Sequence, residues 1–308
     1  MAWQSTTQLW RISSFVLGLL ALVWQCRVAA AERFDLGRTL KQLGYEVVEL
    51  RRTGDHHLFL FGKVDGRKRS CLVDTGWSFT TISTNTATRL TETNRIAQLT
   101  LGRVMLTNET VVVQDLRVNG QPTSYDVVLG CDFLRQHHAI IDCAGRRPYL
   151  RNEALPALQQ NELKRTMAAA GFGKVEMKPR EPGALTCPGQ VADHAMEWLV
   201  DSGAMWSCLD AQLAKSLKLR ALPTLNRMSG PAANGARNFT VANLQSWRLD
   251  ALPLPETSVA VFSLKEWGLG PEGKLFRDVG GILGGSELAT LGAVIDCQQL
   301  RLWLRAAD

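Results

Sequence analysis

The feature that most constrains this chain is a repeat within it. Sliding the 308-residue sequence by 127 positions brings its halves into register without a gap. Gly44-Tyr45 falls on Gly171-Phe172, Glu49 on Glu176, Leu58 on Leu185, Gly62 on Gly189 and Val64 on Val191. Leu72-Val73-Asp74 then falls on Leu199-Val200-Asp201, and Ala87 and Leu90 meet Ala214 and Leu217. Further on the offset becomes 154, where Leu129-Gly130 matches Leu283-Gly284 and Ile141-Asp142-Cys143 matches Ile295-Asp296-Cys297. A fold for this chain must therefore satisfy one small unit twice. The second copy is expected to carry its 27 extra residues as a single insertion between its Asp and its Leu-Gly.

Within the repeat, one pattern carries chemistry. An apolar pair, an Asp, a small hydroxyl residue and a Gly occur as Leu72-Val73-Asp74-Thr75-Gly76 and again as Leu199-Val200-Asp201-Ser202-Gly203. The apolar pair ends a strand and anchors the Asp on a rigid element. Gly76 and Gly203 permit a tight turn and the close approach of another backbone. Thr75 and Ser202 supply hydroxyls that can hydrogen-bond across a symmetric interface. If the copies pack about a pseudo-twofold axis, Asp74 and Asp201 meet on it, and two carboxylates at such range share one proton. One of them can then draw a proton from a water while the other protonates a carbonyl oxygen. That chemistry needs no covalent intermediate, metal or cofactor.

Composition narrows the setting. With 45% apolar and 21% charged residues the chain is globular, and its length suits two domains. A net charge of +6 without a Lys/Arg run gives no reason to expect nucleic acid as a partner. Arg11, the uncharged stretch Ile12 to Cys26, Arg27 and then Ala29-Ala30-Ala31 have the layout of a secretory signal peptide over residues 1–31. The mature protein is therefore expected outside the cytoplasm, periplasmic or extracellular, with a membrane association only if the leader stays on as an N-terminal anchor. Cys71, Cys131, Cys143, Cys187, Cys208 and Cys297 follow the leader without any C-x-x-C pair, which argues against a zinc ribbon. Their spacing selects no disulfide pattern, and the plain alternative is six small buried apolar residues.

The local patterns predict short strands at Leu58–Phe61, Cys71–Val73, Val111–Val113, Asp126–Leu129 and Ala139–Ile141, with turns at Asp65-Gly66 and Asn119-Gly120. Short helices are predicted at Asp35–Leu43, Thr84–Thr91, Glu162–Ala170 and Ala211–Leu219. The organisation expected is a first lobe over 32–150, a linker over 151–162 around Pro156, and a second lobe over 163–308 holding the inserted segment. Many short strands with few helices argue for a mainly β protein of two small barrels.

These motifs together resemble the aspartic proteases, and the compact copies are similar to the retropepsin-like (clan AA) branch. The resemblance is carried by the two Asp triplets and by Val127-Val128-Leu129-Gly130-Cys131-Asp132-Phe133-Leu134 and Gly281-Ile282-Leu283-Gly284-Gly285-Ser286-Glu287-Leu288. It covers most of residues 36–150 and 163–304. It implies two acid-protease β-barrel lobes related by internal pseudo-twofold symmetry, with the apolar-Gly strand threading the loop that carries each Asp. It implies Asp74 and Asp201 as the catalytic dyad, supported by Thr75, Gly76, Ser202 and Gly203. It also implies a hairpin flap over each copy's cleft, placed in the second copy at Ser229-Gly230 through Asn234-Gly235, with no tip assigned in the first. The sequence departs from the family where Trp77 takes a position usually held by a small residue, as Ala204 does in the second copy. Met205 likewise replaces a small polar residue. Trp77, Ala204, Asn234 and Gly235 are the candidate cleft residues.

Other motifs carry less. Asp142 and Asp296 are duplicated but read as strand-end turn residues. His56-His57 and His137-His138 form no ligand set, and loop or surface placement is expected for them. Gly268-Leu269-Gly270-Pro271-Glu272-Gly273 spells a dinucleotide fingerprint, but Pro271 and the lack of a following helix make it a loop. The expectation is an aspartic endopeptidase acting on peptide or protein substrates as a monomer. The alternatives are a catalytically impaired peptide-binding module of the same descent, and a protease active only as a homodimer.

Overall fold

The computed structural model describes residues 34–50, 57–90, 94–117, 121, 123–228, 237–267 and 279–305. The leader therefore lies outside the described residues, as do Asn234, Gly235 and the rest of the segment proposed as a flap tip, and the 268–273 glycine motif. Among the described residues no helix is long and apolar enough to cross a membrane.

Short apolar runs punctuated by Gly, Asp and Asn fold here as short strands. In the first copy, α1 (Leu36–Gln42) is capped by Asp35, whose carboxylate accepts the Arg38 N–H at 3.0 Å. Then come β1 (Glu46–Val47), β2 (Phe59–Val64), β3 (Arg67–Val73), β4 (Thr81–Ser83), α2 (Thr84–Ala87), β5 (Arg95–Leu101), β6 (Val104–Thr110) and β7 (Val112–Gln114). The copy closes with β8 (Val127–Leu129), α3 (Cys131–Gln136), β9 (Ile140–Asp142) and β10 (Arg147–Leu150).

The second copy opens with α4 (Ala157–Ala169), β11 (Phe172–Glu176), β12 (Lys178–Pro179), β13 (Leu185–Val191), β14 (His194–Val200), β15 (Cys208–Asp210) and α5 (Ala211–Ser216). It continues through β16 (Leu222–Met228), β17 (Arg237–Leu244), β18 (Trp247–Leu249), β19 (Leu252–Leu254), β20 (Thr257–Phe262) and β21 (Val279–Leu283). It ends with α6 (Gly285–Thr290), β22 (Val294–Asp296) and β23 (Arg301–Arg305).

Three sheets result, in the orders β6-β5-β2-β3-β8-β4-β7, β16-β17-β20-β15-β21-β14-β13-β18-β19 and β1-β10-β9-β22-β23-β11. In each lobe the strand before the Leu-Gly runs parallel to the strand carrying the Asp: Leu72 faces Val128, and Leu199 faces Ile282. The third sheet is built by both copies. Its centre is the antiparallel pair β9–β22, where Ile141 faces Ile295 and Asp142 faces Val294 while Ile140 faces Asp296. That register is symmetric about the two isoleucines, so the lobes meet as pseudo-twofold mates inside one chain. Both Ile141 and Ile295 are fully buried. The fold is mainly β with two lobes of one topology, as the duplication implies.

Three expectations need correction. The insertion is not one piece. Gly62 pairs with Leu101 and Gly189 with Leu249, so the offset is already 148 there, having been 127 at the two glycines. The second copy thus gains 21 residues ahead of β18, as the β16–β17 hairpin, and the remaining 6 of its 27 between β20 and β21. The first copy has only residues 88–94 between α2 and β5, too few for such a hairpin, so among the described residues the β16–β17 hairpin has no counterpart in the first copy, where a flap was expected in each. The helices also differ from prediction: α2 is four residues long, because β-branched Thr84 and Thr86 propagate a helix poorly. In contrast α4 starts directly after Pro156 inside the stretch expected to be linker, and buries Leu163 and Met167.

The six cysteines are buried free thiols. Burial pushes Cys71 up to about 12, so they behave as small apolar side chains. One histidine breaks the surface expectation: His137 is buried, with Nε2 3.2 Å from Glu109 Oε1.

Candidate active site

Each triplet leaves its strand at the lobe interface. The N–H of Asp74 donates to the Leu129 carbonyl at 3.1 Å, and that of Asp201 to the Leu283 carbonyl at 3.0 Å. The apolar-Gly strand therefore holds the Asp itself by its backbone. Across the interface the hydroxyl residues interlock. Thr75 Oγ1 donates to the Val200 carbonyl (2.7 Å) and accepts the Ser202 N–H (3.0 Å). Ser202 Oγ donates to the Val73 carbonyl (3.0 Å) and accepts the Thr75 N–H (3.1 Å). Thr75 and Ser202 are both buried. These four reciprocal bonds lock one triplet against the other.

The glycines let the carboxylates approach. A Cβ on Gly76 would stand 2.3 Å from Asp201 Cγ, and one on Gly203 would stand 2.2 Å from Asp74 Oδ2. Each carboxylate thus lies against the opposite lobe's Gly. Asp74 Oδ1 accepts the Gly76 N–H at 2.9 Å, whereas Asp201 Oδ1 accepts both the Gly203 and Ala204 N–H at 2.9 Å. Burial, then the neighbouring Asp201 charge, hold the Asp74 carboxyl well above the usual carboxylate range. Burial also raises Asp201, opposed by a hydrogen bond from Asp74, by the Ala204 and Gly203 N–H groups and by His57. Burial thus works against ionisation of both carboxyls, and the Asp201 charge works further against that of Asp74.

Trp77 is accommodated without disturbing the loop. Its carbonyl accepts the Cys131 N–H at 2.8 Å, as the Ala204 carbonyl accepts the Gly285 N–H at 2.8 Å. One residue on, the Ser78 and Met205 carbonyls accept from Asp132 and Ser286 in the same way, at 3.1 and 3.0 Å. The Trp77 indole N–H donates to Thr81 Oγ1 at 2.9 Å, which directs the ring along its own loop. Gly130 and Gly284 lie directly under these loops; a Cβ there would stand 2.6 Å from the Phe79 carbonyl carbon and 2.5 Å from that of Trp206.

Sequence reasoning passed over two neighbours of the dyad. Tyr125 is half-buried, stacks on Phe59 at 6.0 Å, and has its hydroxyl raised by burial and then by the Asp74 and Asp201 charges. His57 stands close enough to ease the ionisation of Asp201. Neither sits in a local motif; Tyr125 precedes β8 and His57 precedes β2, and only tertiary folding brings them to the triplets. Among the described residues no three His, Cys, Asp or Glu side chains come together as a metal-binding group.

A family model described as "Aspartyl protease" matches residues 187–286, the part of the second lobe that carries Asp201. No curated protein matches the chain. Among solved structures, the aspartic proteinase from Irpex lacteus is similar over 86% of this chain and 98% of its own, at 12% identity and a TM-score of 0.48. A retropepsin-like aspartic protease from Rickettsia conorii is similar over 44% of this chain and 94% of its own, at 20% identity and a TM-score of 0.31. The retroviral protease-like domain of Ddi1 from Leishmania major is similar over 34% of this chain and 93% of its own, at 18% identity and a TM-score of 0.26. The chain is thus similar to aspartyl proteases, by a family model over the part of the second lobe that carries Asp201, and it holds two lobes of one topology in a single polypeptide. That match supports a protease function.

Proposed function

We propose that this protein is an aspartic endopeptidase that hydrolyses peptide bonds with a water held between Asp74 and Asp201. The observation that carries the reading is the reciprocal approach of each carboxylate to the opposite Gly, locked by the Thr75–Ser202 hydrogen bonds. In this mechanism ionised Asp201 takes a proton from the water, whose oxygen attacks the peptide carbonyl. Protonated Asp74 gives its proton to the carbonyl oxygen. Collapse of the tetrahedral intermediate returns that proton to Asp74 and passes the one held by Asp201 to the departing amine. The dyad is then restored with one proton. No metal or cofactor takes part in these steps.

Activity is expected in the acidic range. It requires one proton on the pair, so it is lost below the first ionisation, where no base remains, and above the second, where no acid remains. The raised Asp74 carboxyl extends the upper limit toward neutrality. Substrates are unfolded or loop segments of peptides and proteins, met outside the cytoplasm if the leader acts as read above. Because both halves of the dyad come from one chain, the active species is a monomer.

The test is peptide digestion across pH 3–7 with and without a pepstatin-type inhibitor, by the wild type and by Asp74→Asn and Asp201→Asn. Each substitution is expected to abolish cleavage. Full activity in either variant overturns the one-dyad reading. Binding of peptides by the wild type without turnover at any pH favours the peptide-binding module instead.

A further inference from the structure

Each lobe fastens its Asp loop from behind with an acid, and the two lobes do so from different positions. In the first lobe the Thr80 N–H and Oγ1 both donate to Asp132 Oδ1, at 2.7 Å each. The Thr80 hydroxyl oxygen in turn accepts the Gly130 N–H at 3.3 Å. Ser207 occupies the place of Thr80 in the second lobe, and its Oγ accepts the Gly284 N–H at 2.9 Å. There the acid that takes the Ser207 N–H is Glu287, through Oε2 at 3.0 Å. At the 154 offset Asp132 corresponds to Ser286, so the acid has moved one residue along α6 and become one methylene longer.

The longer side chain reaches a second partner. Glu287 Oε1 accepts the hydroxyl of Thr257 at 3.2 Å. Thr257 opens β20 and lies opposite Leu244, the last residue of β17. One carboxylate therefore holds both the loop that carries Asp201 and the strand pair that carries the hairpin. In the first lobe these two jobs are separate: the residue equivalent to Thr257 at the 148 offset is Glu109, which faces His137 instead of Asp132. A second contact joins the same loop and hairpin, since Trp206, next to Ser207, packs on Phe239 of β17 with ring centroids 5.7 Å apart.

We propose that Glu287 is a positioning residue that ties the Asp201 loop, through Ser207, to the base of the β16–β17 hairpin, through Thr257. The lobe with the hairpin is the lobe in which one acid bridges loop and strand pair. The kinetic consequence of this link rests on the proteolytic reading above; its structural consequence does not.

The experiment therefore has two readouts, amide hydrogen exchange and the split of kcat from KM on a peptide substrate. Glu287→Ala is expected to speed exchange in residues 205–209 and 238–244 and to leave residues 78–82 unchanged. It is also expected to lower kcat roughly 10-fold or more, with KM within about threefold. Glu287→Gln should retain activity within about threefold, because the amide oxygen can accept from Ser207 while its N–H donates to Thr257 Oγ1. Adding Ser286→Asp to Glu287→Ala copies the first-lobe arrangement and should restore slow exchange in 205–209 alone. If Glu287→Ala does not fold, Thr257→Val cuts only the hairpin arm and should speed exchange in 238–244. Unchanged exchange in both segments of Glu287→Ala, or in 238–244 of Thr257→Val, overturns the inference. If the wild type cleaves no peptide while Glu287→Ala still speeds exchange in both segments, the link stands and the proteolytic reading falls.

Discussion

Gly203→Ala isolates the geometry of the dyad from everything else in the fold. The added Cβ would stand 2.2 Å from Asp74 Oδ2 and 2.3 Å from its Cγ, and contacts under 3.0 Å are essentially never observed for a real Cβ. The carboxylate or its loop must therefore retreat by about 1 Å to reach van der Waals distance. Reacting groups displaced by that much lose on the order of 100-fold in rate, or about 2.7 kcal/mol of transition-state stabilisation. Gly203 does not have a positive φ, so the methyl group adds crowding without backbone strain. The expected result is a folded protein of near-normal melting temperature whose kcat/KM on a peptide substrate falls about 100-fold. Gly66→Ala is the matched control: its φ of +78° makes Ala strained while nothing lies within 4 Å of the new Cβ. It should lose ~1 kcal/mol of stability and no activity per folded molecule. A Gly203→Ala enzyme within about threefold of wild-type kcat/KM would refute the claim that Asp74 must sit against that glycine.

Two further outcomes follow from the same interface. Thr75→Ala leaves the Val200 carbonyl and the Ser202 N–H buried without their partner, which should cost roughly 2–4 kcal/mol in chemical denaturation. Thr75→Ser keeps the hydroxyl and should restore most of it; equal losses in the two variants would show that the hydroxyl is not the source. Burial raises Asp296 in the interlobe sheet to about 6 from 3.8. A raised carboxyl contributes stability that is fully present below the unfolded value and is lost as pH rises through the folded one. The full loss is about 3 kcal/mol, of which about 2.4 kcal/mol falls between pH 4 and pH 7. Asp296→Asn keeps an oxygen for the Gln298 and Gln299 N–H donors and does not titrate, so its stability should lack this decline. Parallel pH profiles for the two proteins would place the Asp296 carboxyl at an ordinary value.

Much of the site was readable because its parts are local. The Asp triplets and the Leu-Gly strands each occupy a few consecutive residues and occur twice. What could not be read depended on pairing between distant strands. The 27 extra residues were countable, but their division into 21 and 6 shows only where Gly62 faces Leu101 and Gly189 faces Leu249. The anchoring acids escaped detection because Asp132 and Glu287 are one residue out of register and converge only through side chains of unequal length. His137 resembled a surface histidine beside His138, and only the β6 strand that brings Glu109 against it explains its burial. Helix α4 was misplaced because Pro156, taken as a linker signal, serves as its N-cap.

Where the copies stayed alike and where they diverged follows from which contacts are self-complementary. In the Thr75–Ser202 interlock each residue meets its own counterpart, so losing a hydroxyl on either side strands donors and acceptors on both. The same holds at the centre of the interlobe sheet, where Ile141 faces Ile295. These positions kept equivalent chemistry. Away from the axis a residue's neighbours belong to its own lobe, and a change there is compensated locally. Trp77 against Ala204, the acid at 132 against that at 287, and the hairpin present in one lobe only are all of this second kind. A homodimer would have to repeat each such change on both sides of the axis. Joining the copies in one chain removes that restriction, and it lets one lobe carry the hairpin with Glu287 bonded to Ser207 and Thr257 while the other sets Asp132 on Thr80 and Glu109 against His137.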